Sequence, residues 1–483
     1  MTTADISDIF ADIDTRYQDR PLLKMSDGTY VRPQDLDAIC RCPGFGDTAH
    51  RLVICLCDND AGGLAGYVAL AKTGAVPMMI SASLPVAQLH HLTDVYQPHF
   101  IWLPESRASE FANSSVVMSR SGYQLLALRS SEHYTIDDNL ALLLATSGST
   151  GSPRFVRLSR ANVSSNARSI CNYLDITPDD IAITSLPPTY SYGLSVIHSH
   201  ILAGSTIAVT SKTLFDRAFW DFMEASSCSY FSGVPYHYEM LKKLRFRRME
   251  LPSLRTMTQA GGRMDKELTQ EFASHCADKG MRFFSMYGQT EATARMSYLA
   301  ADLAYAKAGC IGKPIPGGEF SLEDDHGAVI DETDTAGELI YRGANVSMGY
   351  AEGHADLGRG DDFNGMLRTG DIAKRDDEGD YYIVGRLKRF LKIFGNRINL
   401  QDVESRLQDA GFDVACAGKD DHLSIYLLQA TVDAAKQIKT SLATDLKISP
   451  TAISVFDLAD LPRAESGKVQ YGLLDTRAKG VLA

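Results

Sequence analysis

The run TSGSTGSPR, Thr146 to Arg154, follows the apolar stretch LALLLA and ends on a cation. Ordering Gly, Ser and Thr costs much backbone entropy and buries little surface in return. A bound anion is one way to offset that cost, because successive N–H groups and hydroxyls can cradle it and Arg154 adds positive charge. A plain turn is the alternative, and the GxxxxGK[ST] phosphate loop is absent. In SMYGQTEAT, Ser285 to Thr293, Tyr287 can cover a flat base. Thr290 and Glu291 can meet a phosphate and its Mg²⁺, which prefers hard oxygen ligands. The same residues suit a strand-to-helix turn with Glu291 at the positive end of a helix dipole. In RTGD and the later GR, Asp371 can accept hydrogen bonds from both hydroxyls of a ribose, with Arg386 close in type; a surface turn is the alternative. Lys468 follows a flexible ESG and is either a mobile cation or a solvated terminal charge.

Elements able to position such residues are legible over most of the chain. RLVICLC reads as a strand, AGGLAGYVALAKT as a helix, AVPMMI as a strand, PVAQLHHLTDVY as a helix and FIWL as a strand. The alternation resumes with LALLLA, the helix RANVSSNARSICNYL, the strand IAITSL, the helix GLSVIHSHIL and the strand STIAVT. This predicts an α/β fold, with mostly parallel sheets flanked by helices. After about Asp371 the texture changes to short strands, basic turns and the helix LQDVESRLQDA, enough for a small α+β domain. The boundary is expected in VGRLKRF, Val384 to Phe390, where a Gly followed by exposed-type residues can act as a hinge.

The chain has 483 residues, too many for one core, so two or three domains are expected. Its net charge of −12 argues against nucleic acid or an anionic membrane as the main partner. No run approaches the roughly 20 apolar residues of a membrane span, and the acidic amino terminus is unlike a secretory signal. Nine cysteines, an odd count without a CxxC, point to structural thiols in a reducing cytoplasm.

Taken in order, TSGSTGSPR, LPPTYSYG, QAGGRM, MYGQTEA, GKPIPG, GELIYRG, RTGD, GRLKRFLKIFGNRINLQDVE and PRAESGK match the motifs of one family. From about Leu52 to Tyr471 the chain resembles the adenylate-forming enzymes, which include acyl- and aryl-CoA synthetases, peptide-synthetase adenylation domains and firefly luciferase. The resemblance implies a large AMP-binding domain, 1–385, and a small mobile carboxyl-terminal domain, 386–483, with a hinge near Lys388. It implies ATP and Mg²⁺, formation of an acyl-AMP with release of pyrophosphate, and transfer of the acyl group to CoA or a carrier-protein phosphopantetheine. By the same resemblance Thr146, Ser147, Gly148, Ser149, Thr150, Gly151 and Arg154 hold the β- and γ-phosphates. Gly262, Tyr287, Gly288 and Gln289 line the adenine site, Thr290 meets the α-phosphate, and Glu291 binds the metal. Asp371 and Arg386 hold the ribose. Lys468 bridges the acyl carboxylate and α-phosphate, while Lys392 and Gly395 serve the thiol-transfer half-reaction.

The acyl pocket implied by the resemblance is built from Tyr190, Gly193, Leu194, Phe231, Gly233, Val234, Tyr236, His237, Gly261 and Gly262. Ser191 stands where amino-acid-activating relatives place an Asp, and an unpaired ammonium is costly to bury. A small carboxylic acid without an α-amino group is therefore expected. Arg154-Phe155 replaces the usual Lys-Gly after the loop proline; charge is kept, and the local backbone is the open question. Delivery of the acyl group to an amine or partner enzyme, and a weak nucleotide-binding scaffold, are the alternatives. The joint presence of Thr290, Glu291, Asp371, Arg386 and Lys468 speaks against the scaffold.

Overall fold

The computed structural model describes residues 8–17, 20–128, 134–146, 154–393, 396–429, 431–463 and 469–482. The chain divides into two compact units, Met1–Phe320 with Tyr341–Leu367, and Ser321–Ile340 with Arg368–Ala483.

In the first unit, the strands Leu140–Ala145, Val76–Ile80, Leu52–Leu56 and Phe100–Pro104 run parallel at the centre of an eight-stranded sheet. Leu52–Leu56 is buried at every position, as a strand covered on both faces must be. A second, nine-stranded sheet is parallel from Arg282–Tyr287 through Thr256–Gln259, Tyr230–Gly233, Ile181–Ile183 and Thr206–Val209 to Leu23–Met25. The helices Ala61–Thr73 and Ser191–Ala203 are almost wholly buried. A single apolar cluster explains why. It runs from Val53 and Cys55 of the first sheet through Leu64 and Val68, then Leu194, Ile197 and Ile201, to Ile207 and Val209 of the second.

The apolar pattern gives no strand between the Thr146–Arg154 loop and the following helix, yet the structure forms one at Phe155–Ser159, antiparallel to Leu140–Ala145. Arg157 hides it by interrupting the apolar run. Its guanidinium is fully buried, donating from Nη2 to Met348 O at 2.7 Å and to Asp362 Oδ2 at 2.7 Å, and from Nε to Tyr350 O at 3.1 Å. A buried Arg this well paired can occupy a strand's core face. Phe155 is 2% exposed and packs edge-on against Tyr96 at 5.4 Å, so its side chain fills core where a Gly would leave a void.

In the second unit, His422–Leu428 and Ile453–Leu458 pair in parallel, and the intervening helix Val432–Asp445 makes the crossover such a pair needs. Val414–Lys419 and Ala478–Val481 flank them antiparallel. Glu404, on the helix Leu400–Asp409, ties separate elements together. Its Oε1 accepts from Arg389 Nη2 at 2.6 Å and from Cys416 N at 2.7 Å; its Oε2 accepts from the Tyr471 hydroxyl at 3.3 Å. The Arg389 guanidinium also lies 4.0 Å from the Tyr471 ring centroid. This is the small α+β region expected from the sequence.

Candidate active site

Thr146 and Arg154 stand at the two ends of an antiparallel hairpin's connection, with Ala145 opposite Phe155. Ser147, Gly148, Ser149, Thr150 and Gly151 lie outside the described residues, as do Gly395 and Lys468. The edge strand Tyr350–Ala351 pairs with the second hairpin strand, Tyr350 opposite Val156. That register sets Tyr350 beside Arg154, whose guanidinium carbon is 3.2 Å from the ring centroid, a cation–π contact. The Tyr350 hydroxyl donates to Glu291 Oε1 at 2.9 Å. Burial, then the charge of Glu291, pushes the phenol up to about 12, so it stays a donor at neutral pH. Arg154 and Glu291 are far apart in sequence; a ring joins them.

Glu291 sits in the short 3-10 turn Thr290–Ala292 after the strand Arg282–Tyr287, not in the first turn of a longer helix. Asn345 fixes this turn: its Nδ2 donates to Ala292 O at 2.9 Å and Arg295 O at 3.0 Å, and its main-chain oxygen accepts from Thr293 Oγ1 at 2.8 Å. Ser347 N donates to Glu291 O at 2.9 Å. Thr290 Oγ1 is 3.1 Å from Ser191 Oγ, which links the turn to the amino end of the Ser191–Ala203 helix. Gln289 Nε2 donates to the Tyr287 hydroxyl at 3.2 Å.

Gly288 makes the turn possible. A Cβ there would stand 1.7 Å from Ala294 O. Gly288→Ala should shift Thr290 and Glu291 and lower pyrophosphate release about a hundredfold, the scale of an ångström's misplacement. Steady-state kinetics beside a thermal melt checks this; a wild-type rate would show that the close approach carries no positioning role.

Of the acyl-pocket candidates, Tyr190, Val234 and Tyr236 share one cluster with Tyr192, Ala260 and Met286. Gly261 has φ +87 and would bring a Cβ to 2.4 Å from the Tyr190 hydroxyl, so Tyr190 closes on bare backbone. Gly262 lies against Pro235, and its O accepts from Gln259 Nε2 at 2.8 Å. His237 Nδ1 is buried without a partner, and burial lowers its imidazole to about 4, keeping it neutral. Three candidates stand apart. Phe231 packs with Tyr238 and Phe283 in a separate cluster. Gly193 faces Pro187 O, 2.3 Å from its missing Cβ, and Leu194 belongs to the cluster between the sheets.

Asp371 and Arg386 are directly opposite on the paired strands Met366–Arg375 and Tyr381–Arg386, with Arg386 Nε 3.0 Å from Asp371 Oδ1. Lys392 is exposed on the strand Phe390–Ile393, its N–H donating to Asp420 Oδ1 at 2.9 Å. Tyr350 and Asn345 were not singled out by sequence reasoning. They follow the GELIYRG motif closely, but their partners are over fifty residues away and carry no periodic signal.

Comparison with known proteins places these features in context. A family model described as AMP-binding enzyme matches residues 45–351. Oxalate–CoA ligase of Arabidopsis thaliana is 26% identical over 373 residues, 74% of this chain and 71% of the relative. Feruloyl-CoA synthase of an Amycolatopsis species is 28% identical over 366 residues, 72% of this chain and 71% of the relative. The o-succinylbenzoate–CoA synthetase of Bacillus subtilis, solved with ATP and magnesium ion, superposes with a TM-score of 0.77 at 22% identity, over 97% of this chain and 99% of that one.

Proposed function

Because the chain belongs to the AMP-binding enzyme family, we propose that it activates a small carboxylic acid with ATP and passes the acyl group to the thiol of CoA. A carboxylate oxygen attacks the α-phosphorus, the bond to the β-phosphate oxygen breaks, and pyrophosphate leaves. The thiol sulfur then attacks the acyl carbon, AMP departs, and the thiol proton is lost to solvent. The observation that supports this reading is the Arg154–Tyr350–Glu291 cluster at the Thr146–Arg154 loop. It places a cation and a carboxylate together where a triphosphate and its counter-ion would both need partners. Relatives named as CoA ligases support CoA as acceptor.

Among the described residues no group of three or more His, Cys, Asp or Glu could hold a metal ion. A single carboxylate fits Mg²⁺ that arrives on ATP, because Mg²⁺ is commonly bound through one or two carboxylates and substrate phosphates. Glu291 would hold it, and its charge would neutralise the phosphates. The chain's own groups do the rest. Thr290 contacts the α-phosphate, Asp371 and Arg386 hold the ribose, and Tyr287 covers the base. Lys468 stabilises the charge that grows during adenylation.

The two half-reactions are divided between 1–385 and 386–483, with rotation near Lys388 exchanging Lys468 for Lys392 and Gly395. The nine cysteines are free thiols, which suits the cytoplasm. Among the described residues no helix is long and apolar enough to cross a membrane. Relatives named for oxalate and for a feruloyl group span very different acids, so their names do not choose the substrate.

The test is product analysis with Mg-ATP, CoA and a panel of short, branched, hydroxy and aryl acids. AMP and pyrophosphate should appear only when an acid is present. ADP and phosphate as products would overturn the mechanism.

A further inference from the structure

Arg295 is the unexplained charge in this molecule. It is 1% exposed. Among the described residues its guanidinium meets no carboxylate. Nη1 lies 2.6 Å from Met286 Sδ and 3.4 Å from the Tyr173 hydroxyl, and the guanidinium carbon is 4.2 Å from the Tyr192 ring centroid. Among the described residues Nε and Nη2 are buried without a hydrogen-bond partner. Nor do the surrounding phenols supply a negative charge: burial pushes Tyr173 up to about 12 and raises Tyr190, Tyr192 and Tyr230 as well. A guanidinium cannot neutralise itself by losing a proton at ordinary pH, and an unpaired buried charge is strongly destabilising. Among the described residues no carboxylate stands beside Arg295.

Its surroundings say where a compensating anion would come from. Met286, Tyr173 and Tyr192 belong to the same cluster as Tyr190, Val234 and Tyr236, the candidate acyl-binding side chains. Tyr192 meets Tyr190 edge-on at 6.2 Å. The main chain of Arg295 is fixed, its oxygen accepting from Asn166 Nδ2 at 2.9 Å and Asn345 Nδ2 at 3.0 Å, so the cation is held beside this cluster. We propose that Arg295 reads a second anionic group on the acid, so that the substrate is a dicarboxylate or a similarly dianionic small acid. This rests on the adenylating reading above and names the substrate class of the same site. One carboxylate is activated on the ATP side, and the other pairs with the two free N–H groups of Arg295. A neutral side chain at that end of the acid would leave the cation unpaired and so be rejected.

The experiment compares acids in matched pairs: malonate, succinate, glutarate and phthalate, each against its monoamide. Pyrophosphate release and calorimetric titration are both measured on the full chain. At least one diacid should exceed its monoamide about a hundredfold or more in kcat/KM, the scale of a lost buried charge pair. Arg295→Met should erase that gap while a monocarboxylate is still turned over, and Arg295→Lys should keep part of it. Arg295→Met should also leave the ligand-free protein as stable or more stable, because it removes an unpaired charge; a purely structural Arg295 would make it less stable. No diacid preference in either measurement, or a preference that survives Arg295→Met, overturns the assignment. Turnover of monocarboxylates alone would refute Arg295 as an anion reader and leave adenylation standing. No release from any acid would count against adenylation, and the titration would still decide whether Arg295 binds a diacid.

Discussion

Lys468→Ala should slow acyl-AMP formation by about two to three orders of magnitude while leaving thioester formation from supplied acyl-AMP near the wild-type rate. The lysine is placed by resemblance of PRAESGK and lies outside the described residues. The expected role is specific to one step. Negative charge accumulates between the carboxylate and the α-phosphate only during adenylation, and a preorganised cation aimed at such charge contributes roughly 3–4 kcal/mol. Once acyl-AMP exists, the thiol attacks a different atom, and nothing in that step needs this cation. Single-turnover measurement of each half-reaction separates the two. Equal slowing of both would show that Lys468 holds the fold or both intermediates rather than one transition state.

Glu291→Ala should cost at least a hundredfold in kcat/KM for ATP, and part of that loss should reappear in Tyr350→Phe as a raised Mg²⁺ requirement. Glu291 is the carboxylate proposed to hold the metal, and Tyr350 donates to it at 2.9 Å. A hydrogen bond to a charged group contributes about 1.5–3 kcal/mol, so Tyr350→Phe should need roughly tenfold or more Mg²⁺ for half-maximal rate. Phenylalanine keeps a ring under Arg154, which separates loss of the hydroxyl from loss of the cation–π contact. Titrating Mg²⁺ at saturating ATP gives the readout, because a merely structural tyrosine would lower the rate at every Mg²⁺ concentration alike. An unchanged Mg²⁺ dependence in Tyr350→Phe would remove it as a positioning residue.

The layered fold was legible because its strands and helices carry strong, locally consistent patterns. Ala61–Thr73 and Arg160–Leu174 match the helical runs read from sequence to the residue. Phe155–Ser159 was not legible, because a strand with Arg157 on its core face breaks the apolar pattern, and the pairing that rescues it comes from Met348 and Asp362. The site divides the same way. Glu291 and Arg154 stand in recognisable motifs, whereas Tyr350 joins them only through the register of an edge strand. Arg295 was passed over for a related reason: four residues after Glu291 it resembles an ordinary surface cation, and only the tyrosines around it show that it is buried.

Glu404 draws together separate parts of the chain beyond residue 388: Arg389, Cys416 and Tyr471. Arg389, one residue past the proposed pivot, shares that carboxylate with Tyr471, three residues past Lys468. Arg463 and Val469 form a further antiparallel bridge in the same region of the chain. On the proposed rotation about residue 388, twist would reach Arg389 and Tyr471 together through this short ionic strut. Under the proposed two-step cycle, such coupling would make the thiol-transfer lysine and Lys468 take turns at the adenylate.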